Sequence, residues 1–264
     1  MSINRYYIRR RQVPLFKSHP SRYHEGTDRF RGASPIIPLK DTVPSSRTPI
    51  VNYALIGANI AVFLYQVSLG PAVTEFVYAY GVIPFRYLRI SPLHPLEMLT
   101  PLTAMFLHGG WMHLLGNMLY LYIFGDNVED LLGRGRYLLF YLLCGAVSFA
   151  AQILVQRNSM IPNVGASGAI AGVLGAYMLL FPRARVVTLL PLFLFFPIVE
   201  IPALFFLGIW FLMQFFSGAA SLAHTDALSG GVAWWAHIGG FLAGMLLLRI
   251  FLPRDAAKRP IVVR

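Results

Sequence analysis

The chain has 264 residues, of which 56% are hydrophobic and only 12% charged, with a mean hydropathy of +0.60. Soluble domains carry about 25% charged residues, so this balance excludes an ordinary soluble globule and points to an all-α polytopic membrane protein. A net charge of +11 would suggest nucleic acid in a soluble protein, but here the basic residues follow membrane topology and no nucleic-acid partner is expected.

Residues 1–50 hold 10 Lys or Arg, 3 acids and 6 prolines, without sustained apolar periodicity. They read as a basic, mostly irregular cytoplasmic tail able to meet lipid headgroups. Arg9-Arg10-Arg11 is not followed by an apolar stretch, so no signal peptide is predicted. Six apolar segments then follow, at about 51–69, 103–125, 136–156, 167–182, 200–217 and 232–252. Most approach the ~20 residues a helix needs to cross the hydrocarbon. The fourth is short, as expected of a helix that starts inside protein below the outer surface. Residues 51–252 therefore form one membrane-embedded domain, and 253–264 a short basic cytoplasmic tail. The single cysteine, Cys144, lies in an apolar run and excludes an intramolecular disulfide.

Charge placement orients the six segments. Connections 70–102, 157–166 and 218–231 carry 3 basic residues in all, and the other side carries 19. The positive-inside rule puts both termini in the cytoplasm. Segments two, four and six then run from outside to inside. His108, His113, Ser167 and His237 fall at similar depth, below the outer face, and polar groups at such depth usually mark function.

Two motifs 70 residues apart carry the chemistry: Gly165-Ala166-Ser167-Gly168 and Ala236-His237-Ile238-Gly239-Gly240. A serine and a histidine are a nucleophile and the base that takes its proton. Gly168, Gly172 and Gly175 in segment four, with Gly240 and Gly244 in segment six, form small-residue faces that let two helices approach closely. Close packing there brings Ser167 to His237. In His113-Leu114-Leu115-Gly116-Asn117, His113 and Asn117 share one helix face. Both can donate hydrogen bonds to a tetrahedral oxyanion, or bond across helices as structural glue. A metal site built from His108, His113 and His237 is the other option. The His-Glu-x-x-His pattern is absent, however, and no acid lies near these histidines in sequence, so no metal or cofactor is expected.

With these motifs in order, residues 50–252 resemble the rhomboid intramembrane serine proteases, of bacterial type. The resemblance implies a six-transmembrane-helix bundle with Ser167 as nucleophile and His237 as base. It implies an oxyanion hole of His113, Asn117 and the Ser167 N–H, with His108, Gly165, Gly168, Gly240 and Gly244 supporting the site. It also implies substrates that are transmembrane proteins, cut in or near their spanning segments within the lipid bilayer. Some rhomboids carry an aromatic residue four positions after the serine, packed on the catalytic histidine. Here that position is Ala171, so Trp234 or Trp235 is expected to support His237. Residues 70–100 also lack the Trp-Arg pair of many first external loops.

No acid is expected to complete a triad, Asp226 included. The fifth segment, opening on Glu200-Ile201-Pro202, is rich in Phe and Leu. It is expected to pack loosely and, with 218–231, to form a lateral gate. Glu200 is expected to pair with Arg183 or Arg185. A transporter would show inverted repeats, and none is visible. A non-catalytic binder of transmembrane segments is the alternative. A basic N-terminus without an organelle address favours a bacterial plasma membrane.

Overall fold

A computed structural model describes residues 37–90, 94–190, 195–223 and 232–254. The expectations for residues 1–36, for Asp226 with most of the connection around it, and for 255–264 lie outside the described residues. In chain order the elements are β1 (Ile37–Asp41), α1 (Ile50–Ser68), α2 (Val73–Tyr80), α3 (Pro95–Ala104), α4 (Trp111–Leu132), α5 (Arg134–Val155), α6 (Ser167–Leu180), β2 (Arg185–Leu189), β3 (Ile198–Pro202), α7 (Ala203–Ala223) and α8 (Trp234–Phe251). Among the described residues four helices, α1, α5, α7 and α8, are long and apolar enough to cross a membrane. Helix α4 matches them in length but carries Asp126, Glu129 and Asp130. Helix α6, with 14 residues, spans only about 21 Å.

Two predicted boundaries move. The apolar stretch 103–125 predicts one helix, but the chain forms α3, breaks, and restarts as α4 at Trp111. The break falls at Gly109-Gly110, where glycine weakens helix and Gly110 takes φ +157°, a non-helical conformation. His108 therefore sits in the connection, not in the helix that carries His113. The fifth helix begins at Ala203, not 200, because Glu200-Ile201-Pro202 ends strand β3. Pro202 supplies no N–H and suits the position just before a helix.

A small sheet is the addition to the all-helical expectation. Strand β1 pairs antiparallel with β2, and β2 with β3. Residues 37–49, predicted as irregular tail, are thus built into the fold in part. The Tyr177 hydroxyl donates to Asp41, and Arg185 N donates to Thr42 Oγ1 at 3.0 Å. Asn127 Nδ2 donates to Val43 O at 3.0 Å, and Ser46 Oγ to Asp130 at 2.7 Å. Burial pushes the Asp41 carboxyl up to about 6, against the hydrogen bonds from Tyr177 and the Val43 backbone that pull it down. Glu200 lies 3.8 Å from Arg185 with both side chains exposed, a pair of little energetic weight.

Polar groups tie the helices where apolar contact alone gives no direction. Glu129 of α4 accepts from Val51 N and Asn52 N (3.1 and 2.7 Å). It thereby satisfies orphan donors at the start of α1, where a negative charge is favoured. Asn52 Nδ2 donates to Leu121 O at 2.9 Å, and Tyr137 Oη donates to Asn52 Oδ1 at 2.7 Å. Helices α1, α4 and α5 are locked together by this chain of contacts.

Helix α6 is buried along Gly168–Tyr177 and packs on α4, α5, α7 and α8. Its tightest seam is with α8. A Cβ placed on Gly240 would lie 2.0 Å from Gly168 O, and one on Gly244 would lie 1.9 Å from Gly172 O. The pairings 168/240 and 172/244 advance together, so α6 and α8 run parallel, in contact backbone to backbone. Ser167 and His237 then lie at the same end of the seam, and the sheet follows α6 at the other.

Candidate active site

Ser167 opens α6 from a constrained approach. Gly165 has φ +129°, a conformation glycine adopts without a steric penalty. Its N–H donates to Ala104 O at 2.8 Å. Just before it, Asn163 exchanges backbone hydrogen bonds with Val82 (3.1 and 2.8 Å). Val82, just after α2, and Ala104, the last residue of α3, therefore fix the entry to the serine. The next N–H groups belong to the first turn of α6, with no intrahelical acceptor.

His237 lies in the first turn of α8. Its Nε2 is 2.8 Å from Ser167 Oγ. Its Nδ1 is 2.7 Å from Gln214 Oε1. Trp210 and Trp234 flank the ring, with centroids at 5.9 and 6.3 Å. Of the two tryptophans expected to support the imidazole, it is Trp234 that makes the ring contact, not Trp235. Ala171 is fully buried within α6. Ala236 N donates to Gln152 Oε1 of α5 at 3.1 Å, which pins the start of α8 one residue before the histidine.

His113 stands over Gly165. A Cβ on Gly165 would lie 2.8 Å from His113 Cε1 and Nε2, and 3.6 Å from Ser167 Oγ. Glycine is required there by space as well as by φ. Gly109 N–H donates to His113 Nδ1 at 3.2 Å. A neutral imidazole that accepts at Nδ1 carries its hydrogen on Nε2, the nitrogen next to Gly165. Asn117, one turn along α4, has Nδ2 buried with no protein hydrogen-bond partner. His113 Nε2–H thus faces Gly165, and Asn117 Nδ2 keeps its hydrogens without a protein acceptor.

His108 is buried, with its backbone held both ways by Gln66: His108 N donates to Oε1 (2.9 Å) and Gln66 Nε2 to His108 O (3.1 Å). Its ring meets His113 edge-on at 5.1 Å. It backs His113 and does not reach Ser167. Gly168 admits Ser148: a Cβ there would lie 2.0 Å from Ser148 Oγ. Among the described residues, no three His, Cys, Asp or Glu side chains form a group that could hold a metal ion.

Sequence reasoning missed Gln214, Trp210 and Gln152. Gln214 had a visible signal: it is a lone amide inside the apolar run Leu204–Phe216, and a buried polar group in such a helix needs a partner. Gln152 is a similar case in α5.

The Rhomboid domain family matches residues 95–254. Rhomboid protein 1, mitochondrial, from Saccharomyces cerevisiae is 30% identical over 200 residues, covering 74% of this chain and 51% of that protein. Rhomboid protease GluP from Bacillus subtilis is 36% identical over 131 residues, covering 49% of this chain and 24% of GluP. RHOMBOID-like protein 1 from Arabidopsis thaliana is 27% identical over 225 residues, covering 76% and 53%. The chain spans about half the length, or less, of these curated relatives.

Proposed function

The chain belongs to the rhomboid family, and from that premise we propose that it is an intramembrane serine endopeptidase working through Ser167 and His237. The observation that carries the reading is the 2.8 Å contact between Ser167 Oγ and His237 Nε2, with the His113 ring against Gly165, two residues before the serine. His237 Nε2 takes the Ser167 proton as Oγ attacks the scissile carbonyl. The tetrahedral oxyanion is held by His113 Nε2–H, Asn117 Nδ2–H and the Ser167 N–H at the dipole-positive end of α6. His237 then passes the proton to the leaving amine, and an acyl-enzyme remains. Water, activated by the same imidazole, releases the second product.

The substrate class is other transmembrane proteins, cut in or near their spanning segments. Helices α1, α4, α5, α6, α7 and α8 are the six crossings, with both termini cytoplasmic on the strength of the basic-residue asymmetry. The membrane is a bacterial plasma membrane, and the site opens toward its outer face. The exposed Phe205, Phe215 and Phe216 of α7 mark the side on which a substrate helix enters.

The test is cleavage of a single-span substrate by the purified protein in detergent, comparing wild type with Ser167→Ala and His237→Ala. Cleavage lost in both variants, with Ser167 labelled by a fluorophosphonate in wild type, is the expected result. Cleavage that survives Ser167→Ala refutes the serine mechanism. Capture of the substrate with neither cleavage nor labelling makes the protein a binder.

A further inference from the structure

The proposed pair lacks the acid that completes a Ser-His-Asp arrangement, and the structure offers something else in its position. Gln214 Oε1 sits 2.7 Å from His237 Nδ1, and both residues are buried. A carbonyl oxygen accepts only, so the hydrogen on this bond belongs to Nδ1. That leaves the Nε2 lone pair facing the Ser167 hydroxyl. The reverse amide orientation would put the hydrogen on Nε2, aimed at Ser167 Oγ, a state in which the imidazole cannot take the serine proton.

Building on the reading above, we propose that Gln214 is the positioning residue that holds His237 in its base-competent tautomer and orientation, as a neutral third member of the site. An amide suits this place physically. A buried carboxylate would carry a large desolvation cost. The amide supplies the acceptor without the charge. The rest of α7 supports this placement, since Trp210, Gln214 and Gly218 recur at four-residue spacing along the helix and all face α8. Trp210 lies on His237 and Phe241, and a Cβ on Gly218 would touch Trp234 Cβ at 3.3 Å. Trp210 and Trp234 restrict the ring while Gln214 decides which nitrogen is protonated.

The experiment compares wild type, Gln214→Met and Gln214→Glu. Methionine keeps the length without a comparable acceptor, and glutamate keeps the acceptor. Three readouts are taken in detergent: kcat and KM on a single-span substrate, the thermal midpoint, and the ring nitrogen-15 spectrum of His237, assigned by its loss in His237→Ala. Gln214→Met is expected to lower kcat roughly tenfold to a hundredfold, the factor for leaving one buried hydrogen-bonding atom without its partner. KM should stay unchanged, and the ring should become a mixture of tautomers. Gln214→Glu is expected to keep more kcat than Gln214→Met and to keep hydrogen on Nδ1, with the desolvation cost of its carboxyl read as a lower thermal midpoint. The inference is overturned if Gln214→Met stays within about twofold of wild type in kcat, if Gln214→Glu loses as much as Gln214→Met, or if wild-type His237 carries its hydrogen on Nε2. Cleavage that survives Ser167→Ala would instead overturn the protease reading, and the nitrogen spectrum would still report on Gln214.

Discussion

Substituting Gly240 by alanine tests the α6–α8 seam that brings serine and histidine together. The new Cβ would start 2.0 Å from Gly168 O, a backbone atom with no rotamer to yield. Ordinary contact begins at 3.4 Å, so the helices must part by about 1.4 Å at this level. Gly168 follows Ser167 directly, and Gly240 lies one turn beyond His237. A rigid opening of that size carries the 2.8 Å Ser167–His237 contact to about 4 Å, past hydrogen-bond reach. Overpacking of this kind costs about 1–3 kcal/mol. For a chain of this size that is a fall of roughly 2–12 °C in thermal midpoint. Misplacing a catalytic group by about 1 Å can cost a hundredfold in rate.

Two further substitutions separate the causes. Gly175→Ala creates a 2.3 Å contact with Phe241 O two turns further from Ser167, so it should share the stability loss and keep more activity. Gly57→Ala on α1 meets no atom within 4 Å and should behave as wild type. The assays are the rate of fluorophosphonate labelling at Ser167 and the melting midpoint in micelles. If Gly240→Ala labels within about twofold of wild type and melts with it, the close seam is not what sets the Ser167–His237 distance.

Three other outcomes are expected. His113→Ala and Asn117→Ala should each lower kcat by about 10²–10³ with little change in KM, since on the proposed mechanism each removes a donor needed chiefly in the transition state; a KM effect alone would make them substrate-binding groups. Gly165→Ala should abolish labelling of Ser167, because it opposes both φ +129° and the His113 ring 2.8 Å away; labelling at the wild-type rate would show that the turn can rearrange freely. Asp41 should make stability fall as pH rises: folding lifts its carboxyl from 3.8 to about 6, so the folded state holds the proton more tightly, and the favourable contribution present below about 4 is lost by pH 7. Asp41→Asn should remove that component, read as the difference in melting midpoint between variant and wild type at pH 5 and pH 8; a difference independent of pH refutes it.

The helices were legible because apolar length is a one-dimensional property of the chain. The proposed site was legible in part because Ser167 and His237 each sit at the head of a glycine face, and because His113 and Asn117 are a local i, i+4 pair. What stayed hidden depends on distant partners. No local rule relates Gln214 to His237, or Glu129 to the start of α1. Strand β1, with Pro38 inside it, is five residues whose partner β2 lies almost 150 positions away, so its sequence reads as tail. The start of α4 was misread because length outweighed the glycine pair at 109–110.

The sheet gives α7 a fixed foot. Ala203 N donates to Ala184 O at 2.7 Å and Leu204 N to Pro182 O at 3.1 Å, while β3, just upstream, is held in the ladder by β2. Gln214 stands eleven residues along the helix, about 16 Å from that pivot. The helix is therefore a lever. A tilt of about 10° moves its foot hardly at all and carries Gln214 about 3 Å, enough to part it from His237 Nδ1. On the reading proposed above, any displacement of α7 of that size would leave His237 Nδ1 without its acceptor.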